Sequence, residues 1–193
     1  MARTQALDFN LKREAIMKRA ASLFALKGFS GASISDLSKA CGVSKSLIYH
    51  YYTAKEDILF DVMNNHIDDL IDVLGATNLA DSNPHHSFTL LTKAILTCYS
   101  GAEDEQKVLL YELNSLKAEQ RNEIIAKQRT IVTKFETIYC EIFPDLKSNP
   151  PLLRSKIMLF FGMINWTHTW FNPKGPITRD ELAELASQTL LKS

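Results

Sequence analysis

Cysteine, glycine and proline are all scarce in this 193-residue chain, with 3 Cys, 7 Gly and 6 Pro. Cys41, Cys98 and Cys140 are odd in number and widely spaced, with no Cys-x-x-Cys pair. Neither a disulfide framework nor a metal knuckle is therefore suggested, and each cysteine reads as a small apolar helix residue. So little Gly and Pro disfavours a turn-rich β sandwich and points to long helices with short connections. Long apolar runs are missing too: the most apolar stretch, Ile157 to Trp166, is ten residues, against the roughly 18 to 20 that span a bilayer. The first ten residues are polar and carry no apolar signal core, so a cytoplasmic protein with no membrane partner is expected. Net charge is absent as well, since 22 Lys+Arg balance 22 Asp+Glu. With 46% hydrophobic and 23% charged residues, the composition is that of a folded protein of one or two modest domains.

What is present is helical periodicity. Ile16, Ala20, Ala21, Leu23 and Phe24 form one stripe over residues 11 to 27, and Gly28 followed by Phe29 is a helix stop. Ser33 with Asp36 makes a capping-box pattern before Leu37, Ala40 and Cys41; Ser44 is a cap for a short helix over 45 to 52; Thr53 with Glu56 repeats the pattern before a helix over 55 to 74. Residues 75 to 84 read as a polar linker. Further helices are expected over 88–99, 103–117, 118–143 and 152–171, and a last one over 178–191 is capped by Thr178 and Glu181. No strand pattern survives, so the expected fold is all-α with about nine helices.

The two short helices around Cys41-Gly42-Val43 have the build of a helix-turn-helix, with small Ala40 for close crossing, Gly42 for the turn and Val43 to pin it. The second helix presents Lys45, Ser46, Tyr49, His50 and Tyr51, groups that reach base edges and phosphates. Three tyrosines and a histidine at consecutive positions 49 to 52 cannot all face inward. The balanced charge also conceals a division: residues 1 to 55 hold 9 basic and 3 acidic side chains, leaving 13 basic against 19 acidic in the remainder. A basic head of net +6 on an acidic body fits a DNA partner for the head alone. The domain division is accordingly set at 1–55 for DNA binding and 56–193 for the rest.

The stretch from Gly42 to Leu59, Gly-Val-Ser-Lys-Ser-Leu-Ile-Tyr-His-Tyr-Tyr-Thr-Ala-Lys-Glu-Asp-Ile-Leu, preceded by residues 20–29 and 34–41, resembles the DNA-binding domain of the TetR family of bacterial transcriptional repressors. That resemblance implies that Ser33 and Ser35 contact phosphate or nearby bases. It implies that Lys45, Ser46 and Leu47 enter the major groove, that Tyr49 and Tyr51 hold phosphates, and that His50 lies against a base. Lys55 would pair with phosphate at the start of the fourth helix. Ser46 departs from the Gly or Pro of many members, which leaves the bases read open. It further implies a homodimer through the last two helices, binding a palindromic double-stranded operator, with half-sites about one helical turn apart or slightly more.

The segment Gly162-Met-Ile-Asn-Trp-Thr-His-Thr-Trp-Phe-Asn-Pro-Lys-Gly-Pro176 is similar to that of the branch responding to acyl-CoA thioesters. Residues 111–116 and 120–124 share the similarity. The effector set implied is Tyr111, Arg121, Arg129, Arg154, Phe161, Asn165, Trp166 and Trp170. The arginines would meet CoA phosphates, and Met158, Phe161, Met163, Ile164 and Trp166 would line a tunnel for the acyl tail. A sensor of free hydrophobic drug-like molecules is the alternative within the family. From another class, a helical-bundle enzyme would need Glu-x-x-His pairs or another catalytic or phosphate-loop motif, and none occurs, so neither metal nor cofactor is expected. A purely structural role would leave the Lys45 to Lys55 cluster without a purpose.

Overall fold

The computed structural model describes residues 2–80 and 82–192, with side chains from residue 9 onward. Nine α-helices and no strand occur among the described residues: α1 (Ala2–Lys27), α2 (Ile34–Cys41), α3 (Lys45–Tyr51), α4 (Lys55–Ala76), α5 (Pro84–Tyr99), α6 (Glu103–Tyr111), α7 (Ala118–Ile142), α8 (Pro150–Asn165) and α9 (Arg179–Leu191). Short 3₁₀ turns follow α6, α7 and α8. None of the helices is long and apolar enough to cross a membrane. Two compact packing units emerge, one comprising the chain to Ile67 with Ala102–Ile125, the other Asp68–Gly101 with the chain from Ala126 onward. The unit holding residues 1–55 is thus larger than that span, and α4 and α7 supply residues to both units.

In the first unit α1 packs on α2 and α6. Its buried residues Ile16, Ala20 and Phe24 share a core with Leu37 of α2, Ile48 of α3, Ile58 and Val62 of α4, and Val108 of α6. His66 is buried within this unit, its Nε2 2.8 Å from Oε1 of equally buried Gln106. In the second unit α5 lies along α9, where Ala183, Ala186 and Ser187 are small enough to admit close approach and the buried Ser187 hydroxyl donates to Thr92 Oγ1 at 3.1 Å. A cluster of rings fills the rest: Phe88 meets Phe135 and Phe160 at 5.2 and 5.0 Å, and Phe135 meets Phe161 at 5.2 Å. Edge-to-face arrangements of this kind suit the ring quadrupoles.

Local stop and start signals hold where they are short-range. Gly28 takes φ +73°, and Phe29 folds back on Phe24 with ring centroids 5.4 Å apart. Several boundaries and caps differ from expectation: α5 begins at Pro84 rather than 88, capped by Asn83, and α6 ends at Tyr111 rather than 117. α1 begins at Ala2 rather than near residue 11, because residues 2–10 contain no Gly or Pro to stop it. α4 is capped by Asp57 rather than Glu56: its Oδ2 accepts from Thr53 Oγ1 at 2.6 Å and from the Ala54 amide at 3.1 Å. α8 ends at Asn165, not at residue 171. There Thr167 and Thr169 donate to the carbonyls three residues back, and His168 Nδ1 lies 2.7 Å from the Asn165 carbonyl, also three residues back. Three such side chains in a row compete with the α-helical ladder and favour the tighter 3₁₀ turn. Cys140 is buried and Cys41 and Cys98 are half-buried; burial pushes the latter two thiols up, as befits packing residues.

Candidate nucleic-acid interface

Ser33 opens α2 with a reciprocal cap. The Asp36 amide donates to Ser33 Oγ at 3.1 Å, and the Ser33 amide and hydroxyl donate to Asp36 Oδ2 at 3.0 and 2.6 Å. These bonds, aided by Lys27, hold the Asp36 carboxyl down at about 2. A carboxyl depressed in the folded state contributes its stability above the unfolded value, near 3.9, and loses it as pH falls towards 2. We therefore expect Asp36→Asn to flatten the pH dependence of unfolding between about pH 4 and 2. Circular dichroism melts across that window check this; an unchanged acid limb would refute it.

Gly42 closes α2 in the left-handed region at φ +66°, its amide donating to the Lys39 carbonyl at 3.2 Å, and the Val43 amide reaches the Ser38 carbonyl at 3.0 Å. Any side chain but hydrogen would be strained at that φ. Ala40, expected at a close helix crossing, is exposed; the buried residues of α2 and α3 are Leu37, Ser38 and Ile48. Ser44 Oγ then caps α3 by accepting from the Leu47 amide at 3.2 Å and lies 2.9 Å from Ser46 Oγ. α3 is anchored by fully buried Ile48 and followed by buried Tyr52. Its other face presents Lys45, Ser46, Tyr49 and His50 to solvent, with Leu47 and Tyr51 half-buried beside them. Tyr52 sits under the Arg13 guanidinium, 5.6 Å from ring centroid to Cζ, and Arg13 is paired with Asp61. Burial pushes the Tyr52 phenol up, so it stays protonated.

The expected residues differ in exposure and in the partners they hold. Lys45, Ser46, Tyr49 and His50 share one exposed face; Ser33 is exposed but holds its cap, and Ser35 is half-buried. Lys55 is engaged within the fold: its ammonium donates to the Phe29 and Ala32 carbonyls at 2.7 and 2.8 Å and lies 4.0 Å from the Phe29 ring centroid. Glu112, which sequence reasoning overlooked, grips the same loop by accepting from the Phe29 amide at 3.1 Å. A partner 83 positions away leaves no local signal.

Of the effector set, exposed Tyr111 and half-buried Arg121 belong to the first unit and the others to the second. Arg129 is exposed. Arg154 is exposed and held in a two-pronged pair by Glu136, at 2.6 and 3.1 Å. Asn165 accepts from the Tyr99 hydroxyl at 2.7 Å. Helical phase divides the expected tunnel: Phe161 and Ile164 are buried, whereas Met158, Met163 and Trp166 point outward at 51, 37 and 59% exposure, and Trp170 is exposed too. Met158, Met163 and Trp166 therefore do not line an interior tunnel.

The family described as bacterial regulatory proteins, tetR family, matches residues 16–62, and the Tetracyclin repressor-like C-terminal domain matches residues 81–193. The chain belongs to the TetR family. A TetR-family transcriptional regulator from Bordetella parapertussis is 37% identical, with a TM-score of 0.89 and 94% of both chains covered. The transcriptional repressor KstR2 of Rhodococcus jostii is 21% identical over 90% of this chain and 86% of its own. AibR, solved with isovaleryl coenzyme A and operator DNA, is 24% identical at a TM-score of 0.78, covering 93% of this chain and 98% of that one. Like other TetR regulators, the protein is a DNA-binding transcriptional regulator and not a helical-bundle enzyme.

Proposed function

We propose that this TetR regulator is a homodimeric repressor released from a palindromic operator by an acyl-CoA thioester. The observation that carries the effector class is the likeness to AibR. KstR2, a transcriptional repressor, matches across both halves of the chain and supports repression, while relatives such as YuxN of Bacillus subtilis match over only 30% of it. AibR, whose complex holds a CoA thioester, shares the fold over nearly the whole length. On this reading Lys45, Ser46, Tyr49 and His50 meet the DNA, with Leu47 and Tyr51 at the edge of that surface. The acyl tail would be taken up by the second unit, and Arg129 is an exposed cation for the CoA phosphates. Effector binding must favour the DNA-incompetent conformation by its differential affinity, and α4 and α7, which contribute to both units, are the continuous elements available to carry it.

An apolar stripe supports the dimer. Leu152, Leu159 and Met163 recur along α8 at spacings of seven and four, Trp166 continues the stripe in the 3₁₀ turn that follows, and all are exposed, as is Leu185 on α9. Gly162 lies exposed within the stripe with open space where a Cβ would be, so a second helix can approach closely.

The test is a panel of acyl-CoA thioesters and their free acids, measured by thermal shift and by release of a duplex selected by the protein from a random-sequence pool. A cognate thioester at about 100 Kd is expected to stabilise by roughly 2.7 kcal/mol, a Tm rise of about 5–10 °C, and to release the duplex. Release by a free hydrophobic molecule with no thioester active would overturn the effector class and favour a drug-type sensor.

A further inference from the structure

Phe9 lies on α1 ahead of the segment that matches the TetR DNA-binding family, which begins at residue 16. Its ring nonetheless meets the end of the recognition helix. The centroid is 4.5 Å from that of Tyr51, at an interplanar angle of 38°, and 6.1 Å from that of His50, nearly perpendicular. His50 and Tyr51 are themselves edge-to-face at 5.3 Å. The three rings make a closed cluster in which one member comes from the α1 extension and two from α3.

Phe9 is 39% exposed and outside the main hydrophobic core, so core formation does not account for its position. α3 has only seven residues and a single fully buried anchor, Ile48. A helix that short is not stable by its own propensity, so contacts at its C-terminal end decide how sharply the side chains there are oriented. Aromatic rings hold one another in restricted geometries, and fixing a rotamer before binding removes an ordering cost from the complex.

We propose that Phe9 is a positioning residue for DNA recognition, holding Tyr51 and His50 in the orientation in which they meet the duplex. The inference rests on the reading that α3 faces DNA. Phe9 itself need not touch the nucleic acid. The α1 extension is then a brace for the recognition helix, supplied from outside the family's DNA-binding segment.

The experiment measures the full-length protein binding a duplex that the wild type enriches from a random-sequence pool, alongside a scrambled duplex. Phe9→Ala is expected to weaken binding to the selected duplex by about three- to tenfold, the scale of one aromatic contact, with little change on the scrambled one. Phe9→Trp should restore binding, and Phe9→Leu should not. Phe9→Ala combined with Tyr51→Ala should be no weaker than Tyr51→Ala alone within about twofold, because the brace has nothing left to hold. Wild-type discrimination by Phe9→Ala, or full additivity with Tyr51→Ala, overturns the proposal. If Tyr51→Ala and His50→Ala both bind normally, the assignment of α3 to the DNA fails instead. Thermal melts of each variant separate these outcomes from unfolding, since loss of so exposed a ring should leave Tm nearly unchanged.

Discussion

Lys55→Met is expected to lower Tm by about 5–10 °C and to weaken DNA binding through the fold rather than through a lost phosphate contact. The Lys55 ammonium donates to two backbone carbonyls and lies against the Phe29 ring. Hydrogen bonds to a charged group contribute about 1.5–3 kcal/mol each, and a cation over an aromatic face adds about 0.5–2. Lys55 is half-buried, so water can replace part of this, and a net loss of about 2–3 kcal/mol is the reasonable sum. For a chain of this length each kcal/mol moves Tm by about 2–4 °C. A phosphate contact would behave differently: Tm would stay unchanged and the slope of log K against log salt would fall by about 0.9. Thermal melts and a salt series on one variant therefore decide between the two roles. An unchanged Tm with the reduced slope would show that the ammonium leaves its carbonyls for DNA.

The loop that Lys55 holds also shows where sequence reasoning reaches its limit. Ser33 with Asp36, Ser44 with Leu47 and Thr178 with Glu181 were legible because each cap closes within three residues, and that spacing is written in the chain. The exposed face of α3 was legible because helical phase and the size of four consecutive rings forbid burying them all. Lys55 and Glu112 were not. They meet Phe29 from 26 and 83 positions away, and only the tertiary fold brings them there. The same reason separates Met163 from Phe161 on α8: both are apolar and close together in the motif, but one faces out and the other in. Periodicity showed an almost wholly apolar helix without showing which stripe the chain covers itself.

The charge division gains a structural setting from this. The basic head carries the exposed α3 face, and its turn is clamped by Lys55 and Glu112. Those two residues are engaged in holding the helix-turn-helix, leaving Lys45, Ser46, Tyr49 and His50, with Tyr51 beside them, as the groups available to a duplex in the proposed docking.

Leu159→Glu is expected to have the largest effect, since it strikes the outward stripe of α8. Leu159 is 74% exposed in the single chain, so a glutamate there costs the isolated fold little. In a two-fold interface the same patch occurs on both copies, and one substitution introduces two carboxylates into an apolar contact. The mass in solution should fall from twice 21.8 kDa to 21.8 kDa. A single head then has one short recognition helix and cannot span a palindrome. Specific regulators bind their sites roughly 10³- to 10⁷-fold tighter than random DNA, and most of that advantage should vanish with the dimer. Leu26→Glu, at a leucine of α1 that is no less exposed, serves as the control and should leave the mass unchanged. Light scattering with gel-shift titration reads both quantities. A Leu159→Glu protein that stays dimeric would remove α8 from the interface, and one that becomes monomeric yet binds the selected duplex with wild-type affinity would remove the requirement for paired recognition helices.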